Sequence, residues 1–279
     1  MLVQIIKKYN SLLDLWRWQR HICKQMRYVV ESRLKNIRQF FNYGFRNINQ
    51  GFDIHERRVM ERLIYRAQIK EGCLDKAKEV LKADVNSKRL IKEGVLMTIG
   101  AFCWEQQLFL YYECKNEVIS PDTFLQGVEE CLVDWPGEKQ LRKWIPMIDV
   151  FHFNEPDSEE HWRRKAPVES RKGRVAHLKP EMMSSYIYYH YQLQEERAFN
   201  GPKYEIIAMH ENLLFGYQEF PAVVEEPVTA GKLITKGTPE NWNDSRMDLH
   251  FDPWKDGYLY FKHIEQVFAY YEEDLSENI

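Results

Sequence analysis

Residues 180–196 read Pro-Glu-Met-Met-Ser-Ser-Tyr-Ile-Tyr-Tyr-His-Tyr-Gln-Leu-Gln-Glu-Glu, and this stretch with its flanks decides the fold. Pro180 suits the first turn of a helix, where a missing N–H costs nothing. Tyr186 and His190 are four residues apart, so on a helix they lie on one face. Short apolar runs precede the helix at 174–178 and follow it at 204–209 and 213–217. The predicted order is strand, helix, strand, tight turn, strand.

The first half of the chain repeats this pattern. At an offset of 109, Ile69-Lys70 fall on Leu178-Lys179. At an offset of 106, five residues fall without a gap on their counterparts: Glu105, Leu108, Phe109, Tyr111 and Glu113 on Glu211, Leu214, Phe215, Tyr217 and Glu219. A repeat of this length indicates two copies of one structural unit.

Each copy reads β-α-β-β-α-β, which is the ferredoxin-like order. The second helix is expected near 139–150 in the first copy and near 242–250 in the second. The fourth strand is expected near 160–165 and near 262–271. Because one face of such a sheet has no helices, the two sheets are expected to cover each other around a hollow.

The predicted fold class is therefore α+β, with two tandem ferredoxin-like units forming an intrachain dimeric α+β barrel. The first unit is expected at 60–165 and the second at 173–279, with a polar linker between them that contains Pro167. Closure of the barrel between two chains stays an alternative, as does a homo-oligomer.

A separate piece, residues 1–59, precedes the repeat. It carries 12 Lys and Arg against 4 Asp and Glu, which leaves −11 for the rest of a chain whose total is −3. Its apolar residues recur at helical spacing, so a basic helical extension is predicted. Such a segment can bind an anionic membrane surface, a nucleic acid or a partner groove, or simply pack on the domain that follows.

The compartment is predicted from cysteines and hydropathy. The five cysteines are odd in number and widely spaced and include no C-x-x-C, which argues against a disulfide framework and a zinc site. No apolar run approaches the ~18–20 residues of a membrane helix. We expect a cytoplasmic protein without a transmembrane segment.

Two groups of residues carry a resemblance to a known family. Lys179-Pro180-Glu181 is followed by Tyr186-x-x-x-His190 and then by Glu196; further on, Tyr204-x-Ile is followed by Asn212-Leu-Leu-Phe. Between Lys179 and Phe220 this pattern resembles the L-rhamnose mutarotase family, whose ferredoxin-like subunits form a small α+β barrel that interconverts the anomers of a sugar.

The resemblance implies an isomerase that acts on an aldose without a cofactor or a metal. Mutarotation needs one group to take the proton of the anomeric hydroxyl and another to protonate the ring oxygen, and a histidine can give and take protons at neutral pH. His190 is the expected acid/base. Tyr186 and Tyr204 would hold sugar hydroxyls, and Trp144 and Trp242 would line the site.

The chain departs from the family at its Trp pair. Trp242 stands alone in the second copy, whereas the surroundings of Trp144 in the first copy are closer to the pattern. At the Tyr and His positions the first copy has Ala77 and Leu81. The first copy could have become a scaffold, the pocket could be composite, with His190 and the tyrosines from one half and Trp144 from the other, or catalysis could have been lost.

Three functions stay open at this point. The first is a mutarotase that acts through His190 on a monosaccharide. The second is a non-catalytic module that binds a small molecule such as a sugar. The third is another cofactor-free activity of the dimeric-barrel superfamily, such as a monooxygenase, because a fold does not fix its chemistry. No motif for metal, nucleotide or nucleic-acid binding is present in the sequence.

Overall fold

A computed structural model of the protein describes residues 60–197, 200–228, 237 and 239–272. These residues belong to one compact unit, Arg58–Ile279. The predicted basic extension, 1–59, lies outside the described residues. No helix in the described ranges is long and apolar enough to cross a membrane.

The described residues form strands and α-helices in the following order: β1 (Glu61–Gln68), α1 (Leu74–Lys82), α2 (Asn86–Lys92), β2 (Leu96–Trp104), β3 (Gln107–Cys114), β4 (Ile145–Pro146), β5 (Ile148–His152), α3 (Glu159–Trp162), β6 (Ser170–His177), α4 (Met183–Gln192), β7 (Gly201–Pro202), β8 (Ile206–His210), β9 (Leu213–Phe220), β10 (Val224–Glu225) and β11 (Lys262–Tyr271). Between them lie 3-10 turns at Pro121–Thr123, Glu129–Cys131, Pro180–Met182, Trp242–Ser245 and Met247–Leu249, and a π-helical turn at Leu193–Arg197.

Nine strands form one antiparallel sheet in the order β4-β1-β3-β2-β11-β6-β9-β8-β5. The strands at its two edges, β4 and β5, are consecutive in the chain and are separated only by Met147. The segment pairs first with β1 through Tyr65↔Pro146, and then with β8 through Ile148↔Met209. One extended segment therefore joins both edges, and the sheet is a nearly closed barrel.

Alternation along the strands separates the inside of the barrel from its outside. On β3, Phe109 and Tyr111 point inward, whereas Leu108, Leu110 and Tyr112 join the core under the helices. The inward side chains of the other strands meet them in one aromatic-rich cluster, which includes Ile64, Phe102, Met147, Val175, Ile206, Ala208, Leu213, Phe215 and Tyr217. Among the described residues the barrel interior is thus packed with side chains.

Helices cover the outside of the barrel. Ala77 and Leu81, four residues apart on α1, are buried in the outer core of the first half together with Leu90 and Ile91 of α2. Asp84 caps α2 by accepting hydrogen bonds from the backbone N–H groups of Asn86 and Ser87. Helix α4 covers the outer core of the second half through Tyr186.

Residues that match across the repeat lie at matching places in the barrel. Phe109 stacks on Phe215 with ring centroids 4.8 Å apart, and Tyr111 stacks on Tyr217 at 3.8 Å. Glu105 and Glu211 occupy the tips of the β2–β3 and β8–β9 hairpins with φ angles of 51° and 55°. The strand order β4-β1-β3-β2 of the first half corresponds to β11-β6-β9-β8 in the second.

Complete ferredoxin-like units are nevertheless not seen in the described residues. The helix predicted near 139–150 is wrong, because Ile145–Pro146 and Ile148–His152 are strands. The strand predicted near 160–165 is also wrong. Ser158 caps a short helix there by accepting from the N–H of His161 at 3.1 Å.

In the second half, the helix predicted at 242–250 is replaced by two 3-10 turns, Trp242–Ser245 and Met247–Leu249. Arg246 lies between them with a φ of 50°, which an α-helix cannot accommodate. The strand predicted at 262–271 is confirmed as β11.

Candidate functional site

His190 lies near the end of α4 and is 8% exposed. Its Nδ1 is 2.9 Å from the backbone carbonyl oxygen of Tyr186, one turn earlier. A carbonyl only accepts, so Nδ1 must carry the proton when the ring is neutral. Nε2 is then the acceptor nitrogen that is left for a ligand.

A cavity of about 670 Å3 adjoins this imidazole. Its walls come from β5, β8, the end of α4 and the turn at 242–245, with five hydrophobic and two polar residues: Phe151, Phe153, Leu193, Ile207, Trp242, His190 and Glu240. Phe151 and Ile207 are cross-strand partners on the outer face of the sheet. The cavity therefore lies between helix and sheet. Among the described residues aromatic rings fill the inside of the barrel, so the hollow expected there is not seen.

Aromatic rings hold His190 on several sides. The Tyr186 ring lies 3.9 Å from the imidazole, centroid to centroid, with the planes tilted by 30°. Phe151 and Trp242 contact it edge to face at 5.5 and 5.3 Å. The side chain is thereby fixed in orientation as well as in tautomer.

Burial keeps this histidine uncharged. Removal from water lowers the pKa of His190 to about 4, the carbonyl of Tyr186 opposes the shift, and the nearby His250 adds to it. Burial also raises the pKa of the Tyr186 phenol well above its usual value. At neutral pH the site thus holds a neutral imidazole and a protonated phenol.

A π-helical turn, Leu193–Arg197, directly follows α4. It places Leu193 in the cavity wall, and Gln194 accepts a hydrogen bond from the backbone N–H of His152 at 3.0 Å. Such turns occur often at functional sites because they displace a helix from its regular course.

Of the predicted site residues, the structure brings His190, Tyr186 and Trp242 together. Tyr204 lies elsewhere, edge to face with Trp162 at 5.1 Å and beneath the Arg164 guanidinium. Trp144 is 3% exposed and belongs to the core under α1 and α2. Neither residue is among the described side chains that line the cavity, so the composite pocket containing Trp144 is not seen.

Sequence reasoning missed the remaining wall of the cavity. Phe151 lies on β5 and Phe153 just after it, and their rings contact each other edge to face at 4.9 Å. The prediction of a helix at 139–150 gives these two rings no part in a cavity wall, although aromatic residues at a spacing of two are typical of a strand that presents both rings on one face. Leu193 and Ile207 carry no signal that separates them from ordinary core residues.

A buried ion cluster inside the barrel was missed as well. Arg164, 3% exposed, donates hydrogen bonds to both carboxylate oxygens of Glu113 at 2.6 and 2.8 Å and to Glu219 at 2.7 and 3.1 Å. Tyr111 and Tyr217 also donate to these carboxylates. Because the polar groups of the cluster are bonded to one another, we interpret it as a structural element of the barrel interior and not as a catalytic centre.

Within the described residues, no group of three or more His, Cys, Asp or Glu side chains is arranged to hold a metal ion. Four cysteines in these ranges, Cys73, Cys103, Cys114 and Cys131, are free thiols.

Comparison with known proteins gives distant structural similarity alone. Neither a protein-family model nor a curated protein matches the chain. A proposed monooxygenase from Fusobacterium nucleatum is 11% identical, covering 76% of this chain and 94% of its own, with a TM-score of 0.35. One from Lactobacillus acidophilus is 10% identical, covering 77% and 97%, with a TM-score of 0.36.

An anthrone oxidase-like protein is 6% identical and covers 78% of this chain and 94% of its own, with a TM-score of 0.32. These similarities are too distant to transfer an activity. The L-rhamnose mutarotase family is not shown by them.

Proposed function

We propose that the chain is an acid–base enzyme for a small, flat and mainly apolar molecule, and that His190 is its base. The observation that supports this most directly is a neutral imidazole with a fixed tautomer at the wall of an apolar cavity. A neutral base can remove a proton from an acidic hydroxyl or C–H group in the ligand. Its aromatic surroundings suit a planar ring system.

Of the reactions considered, cofactor-free monooxygenation is the one that such a site serves best. Nε2 of His190 takes a proton from the substrate, and the resulting carbanion or phenolate reduces O2 directly. In the net reaction a CH2 group and O2 give a carbonyl group and water, so the substrate supplies all four electrons. The apolar walls favour this chemistry because they leave the substrate anion poorly solvated and hence a stronger reductant.

A sugar fits the same cavity less well. Mutarotation needs two groups that exchange protons with the substrate and further polar partners for its hydroxyls. The described cavity wall has two polar side chains, His190 and Glu240, against five hydrophobic ones. Hydroxyl groups buried without partners cost free energy. The mutarotase and the non-catalytic binding module therefore stand as the alternative outcomes.

The test uses the full chain, oxygen and a panel of hydroxylated polycyclic aromatics, beginning with 1-naphthol and anthrone. Oxygen uptake and product mass are followed for the wild type, for His190→Ala and for His263→Ala, which changes an exposed histidine on β11. We expect uptake in the wild type and in His263→Ala, with a loss of at least about 100-fold in His190→Ala.

Other results separate the alternatives. Exchange between the anomeric protons of L-rhamnose or L-fucose in NMR saturation transfer, lost in His190→Ala, would favour the mutarotase. Binding of an aromatic without turnover would favour the binding module. Oxygen uptake that survives in His190→Ala would refute the role of this residue.

We also propose that the barrel is a tandem duplication, with copies at 60–165 and 173–279. The stacked pairs Phe109–Phe215 and Tyr111–Tyr217 and the matching strand orders support this. In each copy the residue after the first strand donates its N–H to the hairpin turn, Ile69 to Gln106 at 2.7 Å and Leu178 to Asn212 at 2.8 Å.

A further inference from the structure

A second cavity, of about 530 Å3, lies at the end of the barrel where the β2–β3 and β8–β9 hairpins meet. It contains none of the residues that line the His190 cavity. Its walls combine polar side chains with aromatic rings: Arg66, Trp104, Glu105, Gln107, His177 and Glu211, with Asn212 at the rim.

The polar groups of this cavity are held in fixed orientations by the protein. Arg66, whose side chain is 9% exposed, donates from Nε to Gln107 Oε1 at 2.9 Å and from Nη1 to Glu211 Oε2 at 3.0 Å. Asn212 donates from Nδ2 to the Leu178 carbonyl at 2.8 Å. These bonds leave the Gln107 amide N–H groups as donors, and Asn212 Oδ1 and the second Glu211 oxygen as acceptors.

The net charge of the cavity wall limits the chemical classes of ligand that the cavity can bind. The carboxylates of Glu105 and Glu211 together with Arg66 give the wall a net charge of −1, which disfavours phosphate and other anions. The guanidinium disfavours a metal cation, and the described residues hold no cluster of three acidic, His or Cys ligands. Burial lowers the pKa of His177, so it adds no positive charge at neutral pH.

An aromatic wall completes the cavity. Trp104 contacts His177 edge to face at 5.2 Å, and both rings contact Trp254, at 5.5 and 5.1 Å. Indole rings offer an apolar surface to the C–H groups of a ligand whose hydroxyls bind elsewhere.

Each of the two hairpin turns places a glutamate at this cavity. Glu105 and Glu211 have φ angles of 51° and 55°, because the first residue of a two-residue hairpin turn takes a positive φ. Both residues line the cavity.

We propose that this barrel-end cavity binds an uncharged polyhydroxylated molecule, such as a glycoside, through alternating donors and acceptors beside the Trp104 indole. Each hydroxyl both donates and accepts, so vicinal hydroxyls match the mixed set formed by Gln107, Asn212 and Glu211. The ring C–H groups pack on Trp104. The site is separate from the proposed oxidation at His190 and does not depend on it.

Ligand-observed saturation-transfer NMR tests this with methyl α-D-glucopyranoside, methyl α-D-mannopyranoside and methyl α-L-rhamnopyranoside, which cannot mutarotate. Inorganic phosphate and CaCl2 serve as probes of the other two ligand classes, with binding followed through the indole N–H signals of the 15N-labelled protein. The variants are Trp104→Leu and Glu211→Asn, the latter retaining tolerance for a positive φ. Trp242→Leu, the matched change in the other cavity, is the control.

We expect at least one glycoside to bind and to shift the Trp104 indole signal. Trp104→Leu and Glu211→Asn should each weaken glycoside binding by about tenfold or more, and Trp242→Leu should leave glycoside binding unchanged. Absence of binding by all three glycosides would overturn the proposal. So would a glycoside whose binding is lost in Trp242→Leu and kept in Trp104→Leu, or binding of phosphate or Ca2+ alone.

Discussion

The imidazole of His190 is placed by one backbone carbonyl and three aromatic rings. The sequence made this residue and Tyr186 identifiable, because a four-residue spacing on a helix puts both on one face. It could not show which other side chains meet them. The sequence makes Trp144 and Trp242 equally good candidates for the wall of the site. Tertiary packing buries Trp144 in a core and brings Trp242 to the imidazole.

The buried imidazole makes stability depend on pH. Unfolded, His190 titrates near 6.5, whereas burial lowers its folded pKa to about 4. The unfolded chain therefore binds the extra proton first, and the free energy of unfolding should fall as the pH drops from about 6.5 to about 4. The contribution reaches about 3 kcal/mol, since each pH unit between the two pKa values is worth ~1.4 kcal/mol.

Urea denaturation of the wild type and His190→Gln across this pH range measures the effect. The variant should show a shallower loss of stability, while His263→Gln, at an exposed position, should follow the wild type. Equal pH dependence in the wild type and His190→Gln would contradict a neutral buried imidazole.

Arg164 is the second residue whose role can be tested singly. Burial alone would raise the pKa of Glu113, but the charge and hydrogen bonds of Arg164 outweigh it and lower the pKa. Arg164→Met leaves Glu113 and Glu219 buried without their cation, so we expect a loss of about 3–5 kcal/mol in urea denaturation. Arg89→Met, at an exposed pair with Glu93 on α2, should change little. Similar values for the two variants would exclude a structural role for the buried cluster.

At the scale of elements, the hairpins were predictable and the connecting segments were not. The turns at Glu105 and Glu211 each lie between two apolar runs and repeat each other at an offset of 106, and both form hairpins. The expected order of elements predicts a helix at 139–150, although Ile148 and Val150 are residue types typical of strands. Pro146 is tolerated there because β4 lies at the edge of the sheet.

Strand β6 packs closely against the barrel interior at Gly173. A Cβ atom at Gly173 would lie 2.6 Å from ring atoms of Phe102, which is fully buried. Because the ring has no space to move into, Gly173→Ala should destabilise the protein by about 1–3 kcal/mol. Ser170→Ala on the same strand is the control and should cost less. A Gly173→Ala variant as stable as the wild type would mean that the barrel interior is loosely packed.

At the scale of the whole molecule, the nine described strands form one nearly closed barrel, in which Phe109 stacks on Phe215 and Tyr111 on Tyr217. The filled interior could not be read from the sequence, because the stacking of Tyr111 on Tyr217 depends on how the two halves meet. One of the two cavities described above lies outside the barrel, next to α4, and the other lies at the end of the barrel.

Near closure of the barrel has a measurable consequence. The N–H of Met147 donates to the carbonyl of Ile64 at 2.9 Å, in the segment that joins the two edges of the sheet. Its amide should exchange with D2O about as slowly as those of central strand β3, through large-scale opening. Exchange of Met147 as fast as that of Glu117, in the exposed loop after β3, would indicate an open sheet with a frayed edge.

15N NMR of the histidine side chains between pH 3.5 and 8 shows whether His190 is neutral and has Nε2 available to a ligand. We expect His190 to carry its proton on Nδ1, to become charged only near pH 4, and to show a shift of its Nε2 signal when 1-naphthol is added. A proton on Nε2, a titration near pH 6.5, or no response to the ligand would contradict this expectation.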